Sequence, residues 1–291
     1  MSVKPSNLPR LRRQTRQHLA DPESSIRSGT GESNRAGLDA LATTLDTADL
    51  FWVSQDMAAL AMHSGGQLAA ARWATADRPA PCGLLFWQDG IGHIDGHGVQ
   101  VPVEACAWGP FEGGMLLWLL MSRARLAAEV AQIGRYQIVE EQIPPLIPVY
   151  GTTLPVTAEP VSFAELDPEL PQPVVAALAA AWLLMQQPLL IDRTQERPDK
   201  STARAIARDG LPVPDVTVVD LRRQYTPQDR DPGDETGGRH YKHRWVVSGH
   251  WRNQAYGKER ALRRQTWVPA HMKGPEGAPL LATEKVNVWR R

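Results

Sequence analysis

The chain has 291 residues, and its 32 basic and 32 acidic side chains give a formal net charge of zero. Hydrophobic residues make up 42% of it, which excludes wholesale disorder and suits one large or two ordinary globular domains. The most apolar run, Val174–Met185, is shorter than the roughly twenty residues that cross a bilayer, and no apolar stretch follows the basic N-terminus. We therefore expect no secretory signal and no membrane partner.

The two cysteines, Cys82 and Cys106, narrow the class of protein further. Two cysteines cannot build the disulfide framework of a small secreted domain, and neither lies in a metal-binding spacing. We expect a reducing, cytoplasmic setting in which both thiols are buried.

The zero net charge hides an uneven distribution along the chain. Residues 1–35 carry seven basic and three acidic groups, residues 36–196 carry six and eighteen, and residues 197–291 carry nineteen and eleven. From Arg239 to Arg291 alone there are twelve basic and three acidic residues. A basic segment separated from an acidic one indicates contact with nucleic acid. The acidic block is a candidate internal competitor of phosphate, or a surface for a basic protein partner.

The first two segments differ in their periodicity. Residues 1–35 are rich in Arg, Ser, Pro and Gly and are predicted to form a disordered basic arm. The composition favours a solvated tail, and contact of arginines 10, 12, 13 and 16 with phosphate is the alternative. Residues 36–155 are predicted to form an acidic α+β domain in which the prolines at 144, 145 and 148 end regular structure. Its predicted elements are a helix with Leu38, Leu41, Leu45 and Ala48 on one face, a strand at Leu50–Val53, a helix with Ser54 as N-cap, and a meander of strands at Gly83–Trp87, His93–Asp95, Val99–Val103, Cys106–Trp108 and Met115–Met121.

The remaining chain is predicted to form a linker and a second domain. Residues 156–173, with their prolines and acids, are typical of a linker. Residues 174–291 are predicted to form a basic domain of two helices followed by a four-stranded antiparallel sheet, which makes the fold class α+β. The predicted helices are Val174–Gln187 and Arg197–Arg208, and the predicted strands are Val216–Leu221, Arg244–Trp251, Thr266–Met272 and Lys285–Trp289.

The last 53 residues carry the candidate site. They hold four of the eight histidines and four of the ten tryptophans among their basic residues. Cations neutralise phosphates and flat rings stack on bases, so this mixture predicts a surface that binds RNA or DNA. The predicted nucleic-acid contacts are Lys242, Arg244, Trp251, Arg252, Lys258, Arg260, Arg263, Arg264 and Lys273.

Two alternatives remain open for the same residues. If the two strands pair, His250 and Arg252 would lie beside His271 and Lys273, and such a set suffices for metal-independent RNA cleavage. One imidazole would take the 2′-hydroxyl proton, the other would protonate the leaving oxygen, and the cations would stabilise the phosphate. A purely structural sheet, with Gly249 as a bulge, is the other alternative.

Metal and cofactor sites are less well supported. His240, His243 and His250 have no acid or cysteine at ligand spacing, and Gly109–Gly114 lacks the Lys-Ser/Thr of a phosphate-binding loop. The pair His93 and His97 with Asp95 lies in a glycine-rich turn that a solvated hairpin tip explains. We expect no metal and no cofactor, and no motif decides whether the chain is an enzyme.

About 95 C-terminal residues resemble a module of uncharacterised phage and mobile-element proteins of actinobacterial type. The resemblance rests on Arg197–Lys200, on Arg244–Arg252 with its Ser-Gly-His-Trp-Arg, and on Trp267–Gly274 with its Trp-Val-Pro-Ala-His-Met-Lys-Gly. Ser248 stands where such proteins carry Arg. The resemblance implies a phage or plasmid origin and brings no catalytic residues. A looser similarity in fold, helices before a basic antiparallel sheet, links the chain to endoribonuclease toxins of the RelE/barnase type found in toxin–antitoxin pairs.

Overall fold

The computed structural model describes residues 3–68, 72–96, 98–133, 139–159, 161–162, 170–222 and 245–273. The chain divides into two compact units, an N-terminal unit of residues 1–222 and a C-terminal unit of residues 223–291. Both helices and strands are abundant, so the fold class is α+β.

The described helices all belong to the N-terminal unit, apart from a 3₁₀ turn at Lys258–Arg260. The α-helices are α1 Leu8–Ala20, α2 Ser25–Ser28, α3 Glu32–Thr47, α4 Gln55–Gly65, α5 Arg123–Ile133, α6 Gln172–Met185 and α7 Lys200–Arg208. The strands of this unit are β1 Asp49–Val53, β2 Arg72–Trp73, β3 Gly83–Trp87, β4 His93–Gly96, β5 Val99–Pro102, β6 Ala105–Phe111, β7 Gly114–Ser122, β8 Leu146–Leu154, β9 Val161–Ser162, β10 Ile191–Glu196 and β11 Val216–Leu221.

A seven-stranded mixed sheet forms the centre of the N-terminal unit. Its strand order is β10-β11-β1-β3-β6-β7-β8. Strand β1 runs parallel to β11 and to β3, and every other neighbouring pair is antiparallel. Of the strands in parallel pairs, β3 is apolar throughout, as expected of a strand covered on both faces, and all five of its residues are buried.

Helices cover both faces of this sheet. On one face, leucines of α1 and α3 pack with Leu50, Leu84 and Phe86 of the sheet. On the other face, the Trp108 ring lies 6.0 Å from that of Phe51 and 5.1 Å from that of Trp182 in α6. Helix α6 is buried on all sides from Val174 to Met185, as expected of a helix that is apolar nearly all round, but it lies in the N-terminal unit rather than in the predicted second domain.

The first 35 residues differ from the predicted disordered arm. Helix α1 has fully buried Leu8 and Leu19, and both belong to the core under α3. Most residues of α1 are polar, and only a few apolar ones contact the core. The mean composition of the segment therefore resembles that of a disordered arm, although the helix has a buried face.

The domain boundary also differs from the one predicted at residues 156–173. Helices α6 and α7 and strands β10 and β11 lie beyond that segment, yet they belong to the N-terminal unit. Strand β11 pairs with β1, which lies about 170 residues earlier in the chain. Strand β8 forms despite Pro148, because it is an edge strand with a register shift at that point.

The C-terminal unit contains two ladders in its described part. Strand β12 Trp245–Val247 pairs with β15 His271–Lys273, and β13 His250–Tyr256 pairs with β14 Leu262–Val268. The two predicted helices and the strand Val216–Leu221 form as α6, α7 and β11, but they belong to the N-terminal unit. Over residues 245–273 the predicted single sheet is divided into two antiparallel two-stranded ladders. Lys285–Trp289 lies outside the described residues.

Candidate functional site

The candidate site lies on a single interrupted hairpin, residues 245–273. Across the β13–β14 ladder His250 pairs with Val268 and Tyr256 with Leu262, and across the β12–β15 ladder Val247 pairs with His271. The two unpaired segments are equally long, Ser248-Gly249 on one strand and Pro269-Ala270 on the other. The register therefore continues unchanged across the interruption.

The interruption depends on a close approach of one tryptophan. A Cβ on Gly249 would lie 2.5 Å from Cζ2 of Trp267, so only glycine fits there without displacing the indole. Trp267 is 4% exposed and packs edge-on against Trp251, directly opposite, with ring centroids 5.4 Å apart. These two rings form the core of the hairpin.

Both candidate histidines support this interruption. His250 Nδ1 lies 3.1 Å from the Ser248 carbonyl, and His271 Nδ1 lies 3.1 Å from the Pro269 carbonyl. A carbonyl oxygen only accepts, so each Nδ1 carries the proton and donates it. Each imidazole thus binds a backbone carbonyl of the unpaired segment on its own strand.

The register does not bring the proposed acid–base pair together. His250 pairs with Val268 and Arg252 with Thr266, whereas His271 pairs with Val247 and Lys273 with Trp245. His250 and His271 belong to different ladders and each contacts its own strand. This register therefore gives no support to RNA cleavage by these two histidines.

Alternation along β13 and β14 separates two faces. One, which we call the tryptophan face, consists of Trp251, Asn253, Ala255, Arg263, Gln265 and Trp267. The other, the arginine face, consists of His250, Arg252, Gln254, Tyr256, Leu262, Arg264, Thr266 and Val268. Trp251 was predicted to contact nucleic acid, but its ring packs into the tryptophan face.

The arginine face presents cations and one aromatic ring. Arg252 and Arg264 are exposed, and Tyr256 is 40% exposed. The Arg264 guanidinium carbon lies 5.2 Å from the centroid of the Tyr256 ring, a cation–π contact between diagonal neighbours. This contact holds the arginine and the phenol ring in one surface.

The turn and the other face add three cations. Lys258 and Arg260 flank the acid Glu259 in the turn, and Arg263 lies on the tryptophan face. With Arg252 and Arg264, five of the predicted cationic contacts are exposed. Among the described residues, none of the five forms an ion pair with an acid. Phosphate groups could approach them without displacing a carboxylate.

The other predicted contacts are described less completely or not at all. Lys242 and Arg244 lie outside the described residues. So do His240, His243 and His97, which were considered above as metal ligands. Lys273 is placed by its backbone in β15. Within the described residues, no cluster of three or more His, Cys, Asp or Glu side chains has the proximity that a metal ion needs.

Three of the arginines near the N-terminus have internal partners. Arg12 is 3% exposed, and its guanidinium donates to the Ala48 carbonyl at 2.9 Å. Arg13 pairs with Asp209, and Arg16 pairs with Asp46. Their predicted phosphate contacts are therefore replaced by contacts that fix α1.

Tyr256, Gln254 and Thr266 were not among the predicted candidate residues. They share the arginine face with Arg252 only because of the observed register. Their positions at even-numbered spacing from Arg252 were the available signal for Gln254 and Tyr256, whereas Thr266 depends on strand pairing.

The charge distribution follows the two units closely. The N-terminal unit has 18 basic and 25 acidic residues, a net charge of −7, and the C-terminal unit has 14 and 7, a net charge of +7. Residues 1–35, although basic, belong to the N-terminal unit, whose net charge is negative. The net positive charge is found in the C-terminal unit, which contains the hairpin.

Comparisons with known proteins give little further information. No protein-family model and no curated protein matches the chain. Among solved structures, it is similar to one described as the crystal structure of AcrVA2, with 11% identity and a TM-score of 0.36 over 89% of this chain and 85% of that chain. A similarity this low carries no argument, and the resemblance to phage and mobile-element proteins stays a prediction. Across the described residues, no helix has both the length and the apolarity to span a membrane.

Proposed function

We propose that this protein binds nucleic acid through the β13–β14 hairpin of its C-terminal unit. The observation that carries the proposal is the set of five exposed cations, Arg252, Lys258, Arg260, Arg263 and Arg264, with a single acid among them. The packed pair of Trp251 and Trp267 holds the two strands together, and the five cations lie on both faces of the hairpin and in its turn.

The physical basis is the release of counterions from the phosphate backbone. Each cation that neutralises a phosphate frees condensed counterions, so the logarithm of affinity falls linearly with the logarithm of salt concentration. Arginine adds geometry, because its planar fork matches two phosphate or base acceptors at once. Arg264 is already oriented by the Tyr256 ring.

The test measures affinity for mixed-sequence nucleic acid as a function of salt. A triple variant, Arg252→Gln, Arg260→Gln and Arg263→Gln, removes three exposed cations from the hairpin. We expect its affinity at about 50 mM salt to fall at least tenfold, and its salt slope to decrease by about 2 to 3, because each lost phosphate contact contributes roughly 0.9.

A matched control removes the same charge from the other unit. Arg35, Arg204 and Arg208 are exposed in α3 and α7, and the triple change of these residues to Gln alters the net charge equally. We expect this control to weaken binding several-fold, because the N-terminal unit then repels phosphate more strongly, but less than the hairpin variant does and without its decrease in salt slope. Equal losses in both triple variants, or no binding by the unaltered protein at about 50 mM salt, would contradict the proposal.

A further inference from the structure

We infer that the hairpin binds duplex DNA and that its arginine face reads base edges in the major groove. This inference rests on the proposed function and adds to it the class of nucleic acid and the face that recognises it. Three features carry it: the shape of the β13–β14 ribbon, the side chains at the centre of the arginine face, and the lack of a stacking platform among residues 250–268.

The shape is that of a two-stranded ribbon. Strands β13 and β14 pair without a break over seven residues each, a length of about 23 Å at roughly 3.3 Å per residue. The major groove of B-form DNA, about 12 Å wide, admits such a ribbon, and the minor groove, about 6 Å wide, does not. The deep, narrow major groove of A-form RNA excludes side chains from the bases.

Four polar residues share the centre of the arginine face, and among them the Thr266 hydroxyl oxygen is buried. Arg252 pairs with Thr266 and Gln254 pairs with Arg264, so the four form two adjacent cross-strand pairs. Arginine matches the O6 and N7 acceptors of guanine, and glutamine matches the N6 and N7 groups of adenine. Gln254 Nε2 donates to the Ala255 carbonyl at 3.1 Å, and the amide retains its oxygen and a second N–H for a base.

The cations outside this centre are placed to contact the backbone. Lys258 and Arg260 lie in the turn, at the end of the ribbon, and Arg263 lies on the opposite face. When the arginine face meets the base edges in the groove, these three cations lie outside that contact. They are then available to the phosphates that border the groove. Phosphate contacts position a protein, and base contacts give it specificity.

Binding of single strands needs repeated stacking of bases on aromatic rings. Strands β13 and β14 and their turn contain three aromatic residues, and two of them, Trp251 and Trp267, pack against each other. Tyr256 is the third, and the Arg264 guanidinium already lies over its ring. Tyr256 alone, with one face of its ring covered by Arg264, cannot stack several successive bases of a single strand. These features therefore favour a duplex over a single strand.

The first experiment compares three probes of equal length and sequence: duplex DNA, duplex RNA and single-stranded DNA, each with the full-length protein. We expect duplex DNA to bind at least tenfold more tightly than the other two. Equal binding of all three would overturn the inference and leave the proposed function intact. Absence of binding to all three would overturn both.

The second experiment tests base readout by selection from a randomised DNA duplex. The variant Arg252→Lys keeps the charge but loses the planar fork, and Arg263→Lys makes the same change on the opposite face. We expect the unaltered protein and Arg263→Lys to enrich the same motif, and Arg252→Lys to lose the preference at one guanine while its affinity for non-selected duplex stays within threefold.

A modified base tests whether the contact lies in the major groove. Replacing that guanine by 7-deazaguanine removes the N7 acceptor from the major groove, and we expect it to weaken the unaltered protein about tenfold and Arg252→Lys less than threefold. The inference fails if no motif is enriched, if Arg252→Lys and Arg263→Lys give the same motif, or if the 7-deaza duplex binds as well as its parent.

Discussion

Gly249 shows how one residue sets the geometry of the hairpin. Its missing side chain leaves the space that Trp267 fills, and Trp267 in turn packs on Trp251. The bulge that the sequence offered as one alternative for Gly249 does not occur, because the facing unpaired segments are equally long and the register is unchanged. What could not be predicted is the partner, because the ring that approaches it belongs to a strand eighteen residues later.

We expect Gly249→Ala to destabilise the hairpin by about 1–3 kcal/mol, the usual cost of forcing an extra methyl group into a packed site. The added Cβ would meet the Trp267 ring, at 2.5 Å in the present geometry. Amide hydrogen exchange of residues 250–268 measures the loss as faster exchange. Ser248→Ala, at the exposed neighbouring position, is the matched control and should leave exchange unchanged. Equal exchange in the two variants would contradict this role for Gly249.

The two cysteines differ in exposure, although both were predicted to be buried. Cys106 is buried in β6, and burial raises the pKa of its thiol to about 12, whereas Cys82 is half-buried. The thiolate is the reactive form, so we expect a maleimide at pH 8 to modify Cys82 and to spare Cys106 in the folded protein. Mass spectrometry of proteolytic peptides counts the modified residues.

The pH dependence of stability provides a second readout for Cys106. In the unfolded chain a thiol ionises near pH 8.5, while in the folded protein Cys106 keeps its proton. The folded state then binds more protons, so its stability falls as the pH rises above about 8.5, and this part of the slope should disappear in Cys106→Ala. Modification of Cys106 as fast as Cys82, or identical slopes, would disprove the assignment.

At the scale of elements, local signals predicted much of the N-terminal unit. The helix face of Leu38, Leu41 and Leu45 is confirmed in α3, and Ser54 accepts a hydrogen bond from the Met57 amide as the predicted N-cap of α4. Such features depend on neighbours within four residues. The sequence missed α1, because its few apolar residues become informative only once α3 lies beside them.

Helix α1 should contribute substantially to the stability of the N-terminal unit. Leu19 is fully buried between α1 and the core, and truncation of such a leucine costs about 2–5 kcal/mol. We expect Leu19→Ala to speed the hydrogen exchange of core amides in β1 and β3 accordingly. Arg10→Ala changes an exposed residue of the same helix and serves as the control. If both variants exchange like the parent protein, α1 is not part of this core.

At the scale of the whole molecule, the sequence predicted the elements better than their assembly. The strand Val216–Leu221 is confirmed, but it joins the seven-stranded sheet beside β1 rather than the C-terminal hairpin. The choice of a parallel partner depends on packing against helices far away in the chain, and no local pattern encodes it. The hairpin register, and with it the separation of His250 from His271, is fixed by the turn and by the pairing across it, which the periodicity of either strand alone does not encode.

Two units with net charges of −7 and +7 have a consequence for binding. A phosphate backbone attracts the basic unit and repels the acidic one, and both effects act over about 10 Å at 0.1 M salt. Because one chain joins the units, the acidic unit accompanies the hairpin to any nucleic acid. The affinity of the whole protein at low salt is therefore expected to be weaker than its hairpin alone would provide.

Neutralising exposed acids of the N-terminal unit should strengthen binding. Glu23, Asp89, Glu159 and Asp192 are exposed, and changing all four to the corresponding amides removes four negative charges without touching the hairpin. We expect several-fold tighter binding of mixed-sequence duplex DNA at about 50 mM salt, and no difference near 0.5 M, where screening shortens the range to about 4 Å. The control exchanges Glu for Asp and Asp for Glu at the same positions, which preserves the charge. If the amide variant binds like this control at low salt, the acidic unit does not oppose the contact of the hairpin with phosphate.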